Sequence, residues 1–281
     1  MGGRPVDFTF SPAPGVRLEG SAEGEGAPIV LLHGLTATRR YVVQGSRMLA
    51  RSGHRTVGYD ARGHGESSPA PERGGYEYAD LVADLRAVIG ELGIERPVLV
   101  GSSMGAATAM AFALAEPDRV TALVQITPAY EGAPRSEPGA WPLLADALEA
   151  GDIDAFVQRS GVLEIPERYR DPAVLAVRQR LERHEHPGAV ADALRVVPCS
   201  CAFDGLDGLD GLDGLDGLDV PVLVIASRDE ADAEHPLAVA REYDRRLPRS
   251  RLLVEDEGQS PLAWRGVQLS RAIAEFMADP P

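Results

Sequence analysis

Gly101-Ser102-Ser103-Met104-Gly105 is the segment best suited to covalent chemistry. It follows an apolar run (Pro97–Val100) and opens an Ala-rich stretch of helical character (Met104–Ala115), the strand-turn-helix setting of a nucleophile elbow. So tight a turn needs small residues two before and two after the serine. It lifts the Ser103 hydroxyl to the carboxyl end of a strand, where it can attack a carbonyl. His33-Gly34-Leu35 follows another apolar run, Pro28–Leu32. Beside an elbow, such a loop offers a backbone N–H to a developing oxyanion, and the N–H after the nucleophile, that of Met104, is the other donor. Leu35 is the first candidate for the loop amide and Thr36 the second; His33 and Gly34 join Leu35 and Met104 as oxyanion or substrate-binding candidates. A third motif, Asp60-Ala61-Arg62-Gly63-His64-Gly65-Glu66-Ser67, follows the run Arg55–Asp60 and reads as loop-structuring rather than catalytic, His64 included.

These motifs need a rigid frame, and the apolar pattern supplies one. Continuous Val/Ile/Leu runs at 28–32, 55–60, 97–100, 120–126, 220–226 and 251–254 alternate with helical patterns. One of these is Tyr78–Leu92, with Leu81, Val82, Leu85, Val88, Ile89 and Leu92 on one face and a stop at Gly93. Such runs indicate a parallel sheet covered on both faces. Asp7–Phe10 and Val16–Glu19 predict a small antiparallel edge. The alternation stops between about residues 131 and 203, where only helices are expected (138–150, 153–162, 172–184 and 187–197). The predicted organisation is therefore a core of residues 1–130 and 204–281 with a helical cap inserted at 131–203. Residues 204–219 are low-complexity: five Asp-Gly-Leu units and a final Asp. They lack the ligand spacing of calcium loops and read as an expanded surface loop.

The His33-Gly34, Asp60–Ser67 and Gly101–Gly105 motifs, in that order, resemble the α/β-hydrolase superfamily, over the whole chain except the Asp-Gly-Leu tract. The resemblance implies an α/β fold with an eight-stranded, mostly parallel sheet and a helical cap, and hydrolysis through a serine–acid–histidine triad in that chain order. A serine at the elbow is similar to the esterase, lactonase, C–C hydrolase and cofactor-free haloperoxidase branches. The branches with an aspartate nucleophile are disfavoured. The acid should follow the strand at 220–226, which makes Asp229 the candidate and Asp232 the fallback. The histidine should follow the last strand, but Glu255-Asp256-Glu257-Gly258-Gln259-Ser260-Pro261 holds Gln259 there, and no histidine follows His235. Glutamine accepts no proton near neutral pH, so the usual path from Ser103 is missing. Three readings stay open. A displaced histidine serves as base, His235 before His184 or His186. Or the fold runs a lyase, cyclase or isomerase reaction without an acyl-enzyme. Or it binds a small molecule as a pseudo-hydrolase. The first gives hydrolysis of a small ester, lactone or related carbonyl compound by Ser103, Asp229 and His235, with Gln259 beside the substrate.

Composition narrows the partners. The chain carries 28 basic and 43 acidic residues among 281, a net charge of −15, and every basic residue is arginine. Without lysine there is no Schiff base and no P-loop lysine. The acidic balance disfavours nucleic acid and anionic membranes. Cys199 and Cys201 are too close for a disulfide with each other and too few for structural zinc. No metal or organic cofactor is implied. The N-terminus shows no signal core and no run is long enough to span a bilayer, so a soluble cytoplasmic protein is expected. Trp141, Leu143, Leu144, Phe156, Val157 and Tyr169 in the cap suggest a small-molecule substrate of apolar or aromatic character, or else pack the cap on the sheet.

Overall fold

The structure, a computed structural model, describes residues 4–137, 139–203 and 213–281. Eight strands are seen among them: β1 (Val6–Ala13), β2 (Val16–Glu23), β3 (Ala27–Leu32), β4 (His54–Tyr59), β5 (Val98–Ser102), β6 (Ala122–Ile126), β7 (Val222–Ala226) and β8 (Ser250–Val254). They form one sheet in the order β1-β2-β4-β3-β5-β6-β7-β8. The β1–β2 and β2–β4 pairs are antiparallel; all the others are parallel. This is the α/β-hydrolase arrangement. The helices are α1 (Met48–Arg51), α2 (Tyr78–Glu91), α3 (Met104–Ala115), α4 (Trp141–Glu149), α5 (Ile153–Arg159), α6 (Glu167–Leu181), α7 (Pro187–Val196), α8 (Leu237–Arg246) and α9 (Gly266–Ala278).

Strand side chains alternate between the two faces of the sheet, and both faces are covered. Val30, Leu32, Leu99, Leu123 and Val224 pack with Leu85, Met110, Phe112 and Tyr243 of α2, α3 and α8. Ile29, Leu31, Val100, Val124 and Ile225 pack with Leu269, Ile273 and Phe276 of α9. Burial on both faces is why these strands read as unbroken apolar runs. The carboxyl ends of β3, β4, β5, β6 and β7 all open on one edge, and the loops leaving them carry the motifs.

Helices α4 to α7 lie between β6 and β7 in sequence and bury an apolar cluster of their own, with Leu148, Phe156, Val157, Leu181, Val190 and Leu194 at its centre. The sequence places a helix start at Pro172, but α6 begins at Glu167 and runs through that proline. Tyr169 explains the extension: it is buried, donates its hydroxyl to the Gln259 carbonyl at 3.0 Å and stands edge-on to Trp264. Tertiary packing thus overrides the missing proline N–H. Of the Asp-Gly-Leu tract, residues 204–212 lie outside the described residues. Its last part is not a surface loop: Asp213–Gly217 is a 3-10 turn, and Leu215 and Leu218 are buried in the main core. No helix among the described residues is long and apolar enough to cross a membrane.

Candidate active site

β5 ends at Ser102 and α3 starts at Met104, so Ser103 makes the turn alone. Its backbone has φ 51° and ψ −111°, a conformation costing on the order of 1–3 kcal/mol for a residue with a Cβ. The surroundings hold it there. The Ser103 N–H donates to the Ile126 carbonyl at 3.0 Å, and its carbonyl accepts from Ala107 N–H at 3.1 Å. The flanking glycines are required by space: a Cβ on Gly101 would stand 2.2 Å from the Gly105 carbonyl oxygen, and one on Gly105 2.3 Å from that of Leu32.

The loop after β3 lies directly against this turn. A Cβ on Gly34 would be 3.3 Å from that of Ser103, and Thr36 is held at φ 65°. His33 is the peg: buried, its Nδ1–H donates to the Gly34 carbonyl at 2.8 Å and its Nε2 accepts from Ala61 N–H at 2.9 Å. Both ring nitrogens are used in joining the loops after β3 and β4; Gly34 supplies the close approach. Leu35 and Met104 line the same cavity as Ser103. The Met104 N–H, first in α3, has no carbonyl within the helix to bond.

The imidazole that meets Ser103 comes from the loop after β7. His235 Nε2 lies 2.9 Å from Ser103 Oγ, and its Nδ1 lies 2.7 Å from Asp232 Oδ1. With the carboxylate accepting Nδ1–H, the Nε2 lone pair faces the serine hydroxyl. A turn after β7, with the Ala231 and Asp232 amides bonded to the Arg228 carbonyl, puts Asp232 and His235 three residues apart on one face. Burial works against the imidazolium, but the Asp232 charge and hydrogen bond outweigh it and raise the His235 pKa above 6.5.

Two sequence expectations need correction on geometry. Asp229 does not reach the imidazole: its exposed carboxylate accepts the Leu237 N–H at 2.7 Å and caps the start of α8, and the fallback Asp232 makes the contact instead. Gln259 is exposed at the position after β8 and has no contact with Ser103; it offers α6 only its backbone carbonyl. The sequence reading also passed over Glu255. It is buried and accepts from Arg228 N–H at 2.6 Å and Leu262 N–H at 3.3 Å, tying the β7 and β8 loops together. Its place at the end of β8 was the available signal.

The cavity at Ser103 has a volume of about 700 Å³ and is walled by Leu35, Tyr78, Met104, Tyr130, Trp141 and Val197, with Glu131, Arg135 and Glu137 at the polar side. Of the six cap residues named from the sequence, Trp141 lines it. Leu144, Phe156 and Val157 pack within the apolar cluster of α4 to α7, Tyr169 packs on Trp264, and Leu143 is exposed.

Against the loop after β3 three buried imidazoles meet at steep angles, His33 to His64 at 5.1 Å and 53° and His64 to His184 at 5.6 Å and 77° between rings. His184, just beyond α6, accepts from Gly65 N–H at 2.8 Å and donates to the Thr36 carbonyl at 3.0 Å. Burial lowers the pKa of all three, that of His184 to about 4. The Asp60–Ser67 motif builds this floor. Asp60 accepts Arg39 N–H at 2.7 Å and Glu66 N–H at 3.2 Å, and Arg62 forms a bidentate pair with buried Asp84, both contacts at 2.8 Å. Among the described residues no group of three or more His, Cys, Asp or Glu could hold a metal ion.

Comparison with known proteins gives the family. The chain is 35% identical over 141 residues to the mouse (Mus musculus) sn-1-specific diacylglycerol lipase ABHD11, covering 50% of this chain and 40% of the lipase. It is 35% identical over 112 residues to a putative non-heme haloperoxidase of Mycobacterium phage D29, covering 40% of each. The matched segments thus span about two-fifths of those relatives. Among solved structures, the Burkholderia xenovorans enol-lactonase superposes with a TM-score of 0.77 at 20% identity over 96% of this chain and 99% of that one. The Bacillus anthracis bromoperoxidase gives 0.78 at 21% over 98% and 100%. These likenesses show the fold. The family described as alpha/beta hydrolase fold matches residues 27–264, most of the chain, and with the sheet order and the strained serine turn this shows that the protein belongs to the α/β-hydrolase family.

Proposed function

We propose that this protein hydrolyses a small ester, lactone or related carbonyl compound through an acyl-enzyme on Ser103. The observation that carries the reading is the 2.9 Å contact between Ser103 Oγ and His235 Nε2, with Asp232 behind the imidazole. In the first half-reaction His235 Nε2 takes the hydroxyl proton as Oγ bonds to the carbonyl carbon. The carbonyl oxygen becomes the oxyanion, and the Leu35 and Met104 amides are the donors for it. The C–O bond to the leaving group then breaks, and His235 returns the proton to that oxygen. Water repeats the sequence against the acyl-enzyme, its proton passing by way of His235 to Ser103 Oγ. Asp232 fixes the tautomer and balances the imidazolium. Helices α4 to α7 act as the cap. The apolar and aromatic walls at Leu35, Tyr78, Tyr130 and Trp141 favour an apolar acyl group.

A fluorophosphonate probe tests this. The wild type should be labelled rapidly, Ser103→Ala not at all, and His235→Ala at least 100-fold more slowly, within the range general-base assistance contributes. Labelling that survives His235→Ala at full rate would leave Ser103 without a base and return the fold to a non-hydrolytic catalyst or a binding protein.

A further inference from the structure

Tyr78 is the first residue of α2, and that end of the helix is fixed from several sides. Glu77 and Asp80 form a capping box. Asp80 pairs with Arg62 at 3.0 Å, and Arg62 is held by Asp84 one turn further along α2. The Tyr78 ring shares a buried apolar cluster with Met104, Ala107 and Val197 and stands edge-on to Tyr130, 6.0 Å away at 68°. The side chain is buried, at 7% exposure, and lines the 700 Å³ cavity together with Ser103. Its hydroxyl makes no hydrogen bond to a described residue, yet it is not sealed from solvent. With the ring packed into its cluster, the hydroxyl opens into the cavity.

Most phenols of this chain are engaged. Of its seven tyrosines, Tyr41, Tyr76, Tyr130, Tyr169 and Tyr243 use their hydroxyls in hydrogen bonds within the protein. Tyr130, in the same wall as Tyr78, donates to the Phe203 carbonyl at 3.3 Å. Tyr59 is the other exception, and it too lines a void, of about 10 Å³, which is no larger than one water. A buried hydroxyl needs a partner from the fold, from water or from a ligand. The other donors in the wall, Arg135, Ser136 and Trp141, are exposed or half-exposed and reach bulk solvent. Burial pushes the Tyr78 phenol far above its ordinary range, so it stays a neutral donor across the working range of pH. The acceptor it suits is neutral as well. Burial penalises an unpaired anion, and the charged side chains of the wall, Glu131 and Glu137 against Arg135, are mostly acidic.

We infer that Tyr78 binds the substrate, its hydroxyl donating to a neutral ether, ketone or ester oxygen carried on the acyl portion. The choice of the acyl portion rests on the hydrolytic reading above. There the leaving oxygen takes its proton from His235 Nε2, and His235 is not among the walls of the cavity that holds Tyr78. Leu35, Met104 and Val197 make the neighbouring wall apolar, so the acyl group is apolar apart from that oxygen. A plain hydrocarbon in the same place would leave the phenol buried without a partner, which is how a polar site rejects an analogue that lacks the matching group.

The experiment uses the p-nitrophenyl esters of hexanoate and of its three analogues in which an ether oxygen replaces the methylene at C3, C4 or C5. Each rate is divided by that ester's rate with hydroxide, which removes differences in intrinsic reactivity. In the wild type at least one ether ester should exceed hexanoate in kcat/KM by about fivefold or more, the scale of one net neutral hydrogen bond. Tyr78→Phe removes one oxygen atom and keeps the ring, and it should bring that ratio to one or below through a raised KM for the ether ester. Three wild-type ratios at or below one overturn the inference. So does a Tyr78→Phe variant that slows all four esters alike, as the loss of a merely structural residue would. Calorimetric titration of Ser103→Ala with the N-methylamides of the same four acids separates this from the hydrolytic reading. A preference for an ether amide that Tyr78→Phe abolishes in the Ser103→Ala background supports the binding role even if no ester is cleaved. Equal binding of ether and hydrocarbon amides, or a preference that survives Tyr78→Phe, refutes it even if every ester is cleaved.

Discussion

Replacing Asp232 with Asn keeps the shape of the side chain and removes its charge. The carboxylate stands 2.7 Å from His235 Nδ1 and so holds the proton on that nitrogen. An Asn amide group turned toward Nδ1 would favour the opposite tautomer, with Nε2 protonated and unable to accept from Ser103. A buried triad carboxylate treated in this way costs three to four decades in kcat, which at about 1.4 kcal/mol per decade is roughly 4–5 kcal/mol of barrier. The pH profile should move as well. In the wild type the base must be deprotonated and its pKa lies above 6.5, raised by Asp232 against burial, so kcat/KM rises with pH through a value above 6.5. In Asp232→Asn burial remains and the attraction is gone, so the acid limb should fall below 6.5. Asp229→Ala is the matched control: it removes the acceptor of the Leu237 N–H and should cost about 1 kcal/mol of stability, as lost helix caps do, with kcat within threefold. The assays are p-nitrophenyl butyrate hydrolysis from about pH 5 to 9 and urea unfolding. An Asp232→Asn enzyme that keeps a tenth of its activity, or a deeper kinetic loss in Asp229→Ala, refutes the assignment of the acid.

Gln259→His, which restores the residue expected after the last strand, should not raise the esterase rate, because that side chain is exposed and the base position is occupied by His235; a tenfold gain would contradict this. The three buried imidazoles should make stability fall with acid. His33, His64 and His184 have folded pKa values below the unfolded 6.5, so the unfolded chain takes up protons first as pH drops through 6.5. His184, at about 4, alone removes about 2 kcal/mol between pH 7 and pH 5; His235, shifted upward, offsets part of the total. Urea midpoints equal at the two pH values would be inconsistent with neutral buried rings. Asp84→Ala takes two charge-assisted hydrogen bonds from the buried Arg62, which keeps Asp80 at 3.0 Å and the Gly75 carbonyl, and should cost about 2–3 kcal/mol in urea unfolding; a loss under about 0.5 kcal/mol would contradict this.

What the sequence disclosed was local or periodic. Gly101, Gly105 and Gly34 are readable because their backbone neighbours leave no room for a Cβ, and the sheet is readable because both faces bury alternate residues of the same apolar runs. The serine turn and the loop after β3 follow from these. The choice between Asp229 and Asp232 was not readable, since both lie on one loop and only the turn at Arg228 decides which faces the imidazole. The start of α6 was hidden because a proline signal was outweighed by Tyr169 packing on Trp264 and Gln259. Leu215 and Leu218 sit in a repeat of uniform composition, so nothing local marks them as core residues.

Asp232 and His235 come from one turn and move with one segment. In a triad whose acid and base hang from different strands, a shift of either loop spoils two contacts independently. Here Asp232 and His235 share one segment, whose start at Arg228 is held to Glu255 after β8. On the proposed hydrolytic reading, β8 and α9 contribute no side chain to the Ser103–His235–Asp232 contacts. A relative given this segment in place of its own acid and histidine would therefore also need the residue after its last strand that holds the start of the segment, as Glu255 holds Arg228 here.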